Sequence, residues 1–93
     1  MDVKCISVRL SALYPISDKA YKAQAFDGST AIIPASQFFG TDTEVVKSKA
    51  YWIAEWIIKK TSLQYSDKKS AWFNPVTREK VSMHRLINPA KTK

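Results

Sequence analysis

The residues that could do chemistry in this 93-residue chain are basic and aromatic, and they are interleaved within residues 59–80. A protein can hold a single nucleic-acid strand in a basic groove with aromatic side chains on which bases stack, each base contributing about 1–3 kcal/mol. Lysines in such a groove neutralise phosphates without reading sequence. The segment therefore predicts non-specific binding of a single strand, with phosphate contacts from Lys59, Lys60, Lys68, Lys69, Arg78 and Lys80 and base contacts from Tyr65 or Trp72. A regular strand turns either Trp72 or Phe73 towards the core.

The distribution of charge also favours an anionic partner. The formal net charge is +7. Residues 1–58 carry six basic and six acidic side chains, whereas residues 59–93 carry nine basic and two acidic ones. A charge excess confined to one third of a chain indicates nucleic acid first. A solvated surface followed by a basic tail would give the same count, and composition leaves that alternative open.

Residue types suited to catalysis or metal binding are sparse. His84 is the single histidine and Cys5 the single cysteine, and this pair cannot supply the ligand set of a zinc site. Cys5 is predicted on the solvated face of a strand, where no motif supports a nucleophile. Two glycines cannot build a phosphate-binding loop of the Walker or dinucleotide type. We therefore expect no enzymatic activity, no metal and no cofactor.

A second class of function is binding of a protein partner through Tyr51, Trp52 and Trp56. Tryptophan and tyrosine are enriched among interface hot spots. Two tryptophans four residues apart lie together on one flank of a helix. The basic third of the chain would steer this flank onto an acidic protein. A homodimer through the same flank would bury both tryptophans without a foreign partner.

A helix over residues 50–60 is the element predicted to position these side chains. Its apolar stripe follows the 3.6-residue period and consists of Ala50, Ile53, Ala54, Ile57 and Ile58. Lys59 and Lys60 lie at its carboxyl end, where the helix dipole favours cations. The apolar arc is wider than one core face needs. Either a sheet wraps the helix closely, or the tryptophan flank contacts a molecule outside this domain.

Strands are predicted on both sides of that helix. Residues 3–13 alternate, with Ile6 and Val8 inward and Cys5 outward, and Tyr14-Pro15 is predicted to end the strand. Two further hairpins are indicated by turn residues. Residues 20–26 and 30–33 should pair about Asp27-Gly28, and residues 71–73 and 79–83 about Asn74-Pro75.

Five strands with one helix between the third and fourth form the order of an OB-type barrel, although an open sheet covered by one helix fits equally well. We expect a small α+β protein with an antiparallel, barrel-like sheet, residues 1–87 forming one domain and residues 88–93 a tail. No run approaches the ~20 apolar residues of a membrane span, and the amino terminus does not resemble a signal peptide. With a single cysteine, a cytoplasmic location without membrane contact is the expectation.

Four short segments within residues 17–63 resemble a class of short accessory proteins of phages and mobile elements. They are Ser17-Asp18-Lys19-Ala20, Asp27-Gly28, Pro34-Ala35-Ser36-Gln37, and Glu55-Trp56-Ile57-Ile58-Lys59-Lys60 with Leu63. The class has an aromatic residue before the proline and a basic residue after it, where this chain has Ile33 and Ala35. No biochemical activity is assigned to the class. The resemblance implies a role in phage or plasmid DNA metabolism or in host interaction.

Overall fold

The computed structural model of the chain describes residues 2–66 and 68–81. Within them it has seven strands, one short α-helix and one 3₁₀ turn. The elements are β1 (Val3–Leu10), β2 (Ala12–Ser17), β3 (Ala20–Gln24), β4 (Thr30–Pro34), the 3₁₀ turn (Ala35–Gln37), β5 (Phe38–Thr41), β6 (Lys49–Ala54), α1 (Glu55–Ile58) and β7 (Ser70–Phe73). The predictions for His84, for the end of the 79–83 strand and for the 88–93 tail lie outside the described residues.

The strands form two antiparallel sheets, which makes this a small, mostly-β domain with a curled, half-barrel sheet. One sheet has the order β5-β6-β1-β7 and the other the order β2-β3-β4. The expected antiparallel architecture with one helix is confirmed at this level. The expected count of five strands is wrong, because the described part of the chain contains seven.

One of the extra strands arises where the predicted 3–13 strand divides at Ser11. Leu10 pairs with Lys49 in the first sheet, whereas Ala12 pairs with Gln24 in the second. The Ser11 backbone N–H donates to the Gln24 carbonyl at 2.8 Å and fixes the crossing. Tyr14-Pro15 is predicted to end the first strand, but both residues lie within β2. β2 is an edge strand, where a missing backbone N–H is tolerated, and its register shifts just after the proline.

The helix predicted over residues 50–60 is wrong for more than half its length. Residues 49–54 form strand β6, and α1 spans only Glu55–Ile58. β6 pairs with β1 on one side and with β5 on the other, and both of its faces pack against apolar side chains. A strand buried on both faces is a continuous apolar run, which also matches a helical stripe when only periodicity is considered.

The hairpin about Asp27-Gly28 is confirmed, since β3 pairs with β4 from Ala20–Pro34 to Gln24–Thr30. Gly28 adopts a φ of 90°, a conformation that glycine allows at no steric cost. The Asp27 carboxylate accepts hydrogen bonds from the Ser29 backbone N–H at 2.8 Å and from the Ser29 hydroxyl at 2.6 Å. Because of these bonds, the pKa of Asp27 lies below its usual value.

Two apolar clusters occupy the two faces of the four-stranded sheet. The first lies towards the three-stranded sheet and includes Ile6, Val8, Ile33, Ile53 and Ile58. The second lies on the opposite face and consists of Cys5, Phe39, Trp52, Ala54, Ala71 and Phe73. The expectation that Cys5 lies on a solvated face is therefore wrong. Burial raises the pKa of the Cys5 thiol to about 12, although the nearby Arg78 charge opposes this effect.

The turn after β7 covers the second cluster. The Arg78 guanidinium donates to the Phe38 carbonyl of β5, and its central carbon lies 4.0 Å from the centroid of the Phe39 ring. The Lys80 ammonium lies 5.3 Å from the Trp52 ring centroid. We call Arg78 and Lys80 the basic clasp, because Arg78 connects the turn after edge strand β7 to edge strand β5 and Lys80 connects it to β6.

The second predicted hairpin is confirmed only in part. Asn74 opens the turn, since its side-chain oxygen accepts hydrogen bonds from the backbone N–H groups of Val76 and Thr77. After the turn, within residues 68–81, the chain pairs with β7 through one bridge between Phe73 and Lys80.

None of the helices in the described ranges is of the length and hydrophobicity that a bilayer crossing requires.

Candidate nucleic-acid interface

An open cleft of about 450 Å³ lies where β1 meets the β3–β4, β5–β6 and α1–β7 loops. β1 contributes Arg9, and the β3–β4 loop contributes Phe26. The loop between α1 and β7 contributes Gln64, Tyr65, Lys68 and Lys69. We call this the basic cleft. It combines two aromatic side chains with three cationic ones, the composition that single-strand binding requires.

The two aromatic side chains of the basic cleft are exposed to solvent. Phe26 is 62% exposed and Tyr65 is 37% exposed. They come from distant parts of the chain, and Gln64 holds the two loops together. The Gln64 side-chain oxygen accepts a hydrogen bond from the Asp27 backbone N–H at 3.1 Å, and the Gln64 backbone N–H donates to the Ser29 hydroxyl at 2.8 Å. The turn chemistry of the hairpin thus fixes Phe26 and Tyr65 beside one cleft.

The three cations of the basic cleft differ in how far their charges are compensated. Arg9 and Lys68 are exposed, and neither forms an ion pair with another residue in the part of the chain that the structure describes. The Lys69 ammonium, in contrast, lies 2.9 Å from the Asp42 carboxylate and 2.7 Å from that of Glu44. Arg9 and Lys68 are therefore the cations available to a phosphate.

Lys69 belongs to a network that fixes the β5–β6 loop. Asp42 is only 3% exposed, and its carboxylate accepts a hydrogen bond from the Ser7 hydroxyl at 2.6 Å. Burial raises the pKa of Asp42, but the hydrogen bonds from Ser7 and Lys69 outweigh it, so that the net pKa lies below the usual value. Hydrogen bonds to Glu44 and Asp42 raise the pKa of Lys69. The predicted phosphate contact at Lys69 is therefore engaged in holding two loops together.

The remaining members of the predicted nucleic-acid segment lie elsewhere. Arg78 and Lys80 form the basic clasp on the second apolar cluster. Trp72 lies on the opposite face of β7 from Phe73 and is 39% exposed. Lys59 and Lys60 follow α1. The structure thus gathers Tyr65, Lys68 and Lys69 at one cleft and places the other predicted contacts at separate positions.

The predicted partner-binding flank of Tyr51, Trp52 and Trp56 does not exist as one surface. Tyr51 and Trp52 are neighbours on strand β6, so their side chains point to opposite faces of the sheet. Tyr51 packs against the first apolar cluster, and Trp52, 5% exposed, belongs to the second. Trp56 alone of the three is half-exposed, at the second position of α1.

Arg9 and Phe26 are site residues that the sequence prediction did not include. Arg9 carried one usable signal, since it lies on the outward face of the predicted first strand. Phe26 carried another, because it directly precedes a turn, where no strand face can bury it. Neither signal indicates that the two side chains meet Tyr65, which depends on the tertiary structure.

Three of the four segments that carry the resemblance converge in space. Ala20 pairs with Pro34, and the Ala35 backbone N–H donates to the Lys19 carbonyl at 2.7 Å. The Trp56 indole N–H donates to the Gln37 side-chain oxygen at 2.9 Å. Comparison of the chain with family models, curated protein sequences and solved structures found no match. Function is therefore inferred from geometry and charge.

Proposed function

We propose that this protein binds single-stranded nucleic acid without catalysis and with low sequence specificity, and that the basic cleft holds the strand. The observation that carries the proposal is that two exposed rings, Phe26 and Tyr65, surround one open cleft with two cations. These cations, Arg9 and Lys68, have no ion pair among residues 2–66 and 68–81. The rings offer stacking faces to bases, and the cations offer charge to the phosphates between them.

The dimensions and chemistry of the basic cleft favour a single strand over a duplex. Its volume of about 450 Å³ suits a ligand of nucleotide size rather than a helix. In a duplex the bases stack on one another, so their faces are not accessible to Phe26 and Tyr65. Low specificity follows because every base has an aromatic face, and the cations contact only the backbone.

The resemblance of residues 17–63 to phage and mobile-element proteins adds a biological setting to the proposal. We propose an accessory role in the DNA metabolism of such an element. The alternative of an acidic protein partner stays a prediction. Its predicted surface of Tyr51, Trp52 and Trp56 is divided between the two faces of the sheet, and Trp56 is the one of the three that is half-exposed.

The test is a titration of labelled single-stranded and duplex oligonucleotides with the protein and five variants. Phe26→Ala and Tyr65→Ala remove one ring each. Tyr14→Ala is the matched control, because Tyr14 is 51% exposed on the outer face of the other sheet. Lys68→Ser is compared with Lys22→Ser, the neighbour of Tyr14 on that outer face.

We expect each ring removal in the basic cleft to weaken single-strand binding about ten-fold, since stacking contributes about 1–3 kcal/mol per base. The Tyr14 and Lys22 variants should bind like the unmodified protein. The proposal is overturned if no oligonucleotide binds at low salt, or if the control variants lose as much affinity as the cleft variants. Binding of polyglutamate in place of oligonucleotide would instead assign the site to an acidic protein.

A further inference from the structure

A further aromatic side chain is held on the surface at the second position of α1. Trp56 is 50% exposed, and its indole N–H donates to the Gln37 side-chain oxygen at 2.9 Å. The Gln37 amide nitrogen in turn donates to the Ser36 hydroxyl at 3.2 Å. The ring is thus oriented by the 3₁₀ turn rather than by burial. A large ring that is fixed before binding loses little conformational entropy when a ligand stacks on it.

The charges around Trp56 repeat the arrangement of the basic cleft. The Lys60 ammonium lies 5.2 Å from the Trp56 ring centroid and has no carboxylate partner among residues 2–66 and 68–81. The Glu55 carboxylate lies 3.5 Å from Lys4 and 3.9 Å from Lys59, so its charge is already compensated. An exposed ring beside an uncompensated cation is again the pairing that a base and its phosphate require.

The two ring-and-cation pairs lie at the ends of one anchored stretch of chain. Lys60 and Tyr65 are five residues apart, so their Cα atoms are separated by at most about 18 Å. Leu63 is buried within this stretch, and the Thr61 hydroxyl donates to the Ile58 carbonyl at 2.9 Å. This spacing fits the footprint of about 4–16 nucleotides that small single-strand binding domains cover.

From these observations we infer that Trp56 is a second stacking contact for the strand that enters the basic cleft, with Lys60 neutralising an adjacent phosphate. The inference rests on the proposed function and extends it, because it makes the site longer than one cleft. A short oligonucleotide fills the basic cleft alone, and a longer one reaches Trp56 as well.

The test compares oligothymidylates of about four and about twelve nucleotides, the lower and upper parts of the usual footprint. Affinities are measured for the unmodified protein and for Trp56→Ala, Trp56→Phe and the control Tyr14→Ala. Trp56→Phe keeps an aromatic ring but loses the N–H that Gln37 orients. Thermal unfolding of each variant identifies any effect that comes from lost structure.

We expect Trp56→Ala to weaken binding of the long oligomer at least five-fold and to change that of the short oligomer less than two-fold, with Trp56→Phe intermediate on the long oligomer. Equal effects on both lengths, or no effect on either, would overturn the role of Trp56 while leaving binding in the basic cleft intact. Failure of both oligomers to bind the unmodified protein would overturn the proposed function, and the inference with it.

Discussion

At the scale of single residues, Lys69 shows that a cation in a basic segment can stabilise the folded structure through ion pairs. Its ammonium contacts two carboxylates, so Lys69→Glu would place three acidic groups together and disturb the loops that border the basic cleft. A binding defect in such a variant could come from lost structure. Lys68, one residue earlier, is exposed and has no ion pair among the described residues, so it reports on binding without this complication.

Asp42 is the centre of that network, and its removal should destabilise the protein. In Asp42→Ala, the Ser7 hydroxyl and the Glu44 backbone N–H both lose their acceptor. We expect the free energy of unfolding to fall by about 1–3 kcal/mol, measured by urea denaturation. Asp18→Ala, in the exposed turn before β3, is the control and should change stability by less than about 0.5 kcal/mol. An unchanged midpoint for Asp42→Ala would contradict the structural role of the network.

The same network predicts how stability depends on pH. The pKa values of Asp42 and Glu44 lie below their ordinary values of 3.8 and 4.5, so both groups stabilise the fold above those values. This contribution is lost as the pH falls through the lower pKa values of the folded state. We expect thermal midpoints to be level between about pH 7 and pH 5 and to fall below about pH 4.

Lys69→Met serves as the control for that titration, because it removes the cation that lowers both pKa values. The variant should be less stable than the unmodified protein at neutral pH, and the difference should narrow as the pH falls below about 4. A difference that stays constant from neutral to acidic pH would show that the ion pairs with Asp42 and Glu44 do not account for the effect.

At the scale of secondary-structure elements, the basic clasp assigns Arg78 to structure rather than to phosphate. We expect Arg78→Ala to lower the free energy of unfolding by about 1–2 kcal/mol, because the cation–aromatic contact and the bond to the Phe38 carbonyl are lost. Oligonucleotide affinity should change less than two-fold. Arg78 has a φ of 67°, and alanine has a similar strain there, so the comparison isolates the side chain.

Lys68→Ala should have the opposite effects to Arg78→Ala: it should weaken oligonucleotide binding and leave the urea midpoint unchanged. The pair of variants therefore separates a phosphate contact from a structural one. If Arg78→Ala weakened binding as much as Lys68→Ala at unchanged stability, Arg78 would belong to the interface.

Truncations of Ile53 and Trp56 test how deeply each side chain is buried, and NMR chemical shifts test strand β6 against a helix. Ile53 is fully buried between the two sheets, so its truncation should cost about 2–5 kcal/mol of unfolding free energy. Trp56 is half-exposed, so its truncation should cost less than about 1 kcal/mol. Strand-like chemical shifts over residues 49–54 and helical shifts at residues 55–58 are expected in an NMR spectrum. Helical shifts across the whole run would contradict the β6 assignment.

The elements that sequence predicts well are those with local signals. The β3–β4 hairpin follows from alternation around Asp27-Gly28, and β7 follows from a short run before Asn74-Pro75. β6 fails because its apolar residues face two clusters, and the sequence does not show that a second cluster exists. The division of the first strand at Ser11 fails for a similar reason, since the partner of Ala12 lies in the other sheet.

The candidate site is predictable to the same degree. Tyr65 and Lys68 line the candidate cleft and were predictable from sequence, because both lie in one basic, aromatic segment. The structural contacts of Lys69 and Arg78 are not predictable, because their partners, Asp42 and Phe39, are distant in sequence. Composition predicts an anionic ligand, whereas tertiary contacts show which cations already have carboxylate or aromatic partners.

At the scale of the whole molecule, the net charge overstates the number of phosphates that can be contacted. The basic cleft supplies Arg9 and Lys68, which have no ion pair among the described residues, and a strand that reaches Trp56 would add Lys60. Lys59 is not counted, because its ammonium lies 3.9 Å from the Glu55 carboxylate. Each phosphate contact on a single strand changes the slope of log K against log salt by about −0.7. We expect a slope of about −1.4 for a short oligomer and about −2 for a long one.

The slope is measured by repeating the oligonucleotide titrations at salt concentrations from about 50 to 200 mM. Lys68→Ser should make it shallower by about 0.7, and Lys80→Ser, in the basic clasp, should leave it unchanged. A slope near −3 for the short oligomer would mean that the clasp cations also meet phosphates, and would contradict their structural assignment.

The place of β1 in the four-stranded sheet has a consequence for how the chain reaches its folded state. Cys5 in β1 pairs with Ala54 on one side and with Ala71 on the other, whereas the three-stranded sheet joins only sequence neighbours. Local pairings form fast and distant ones slowly, so the β2-β3-β4 meander should form before β1 is enclosed. Until β7 docks, β1 presents an unpaired edge with apolar side chains on both faces, which is a template for association between chains. The yield on refolding should therefore fall as protein concentration rises, with the closure of β7 onto β1 as the step that competes with aggregation.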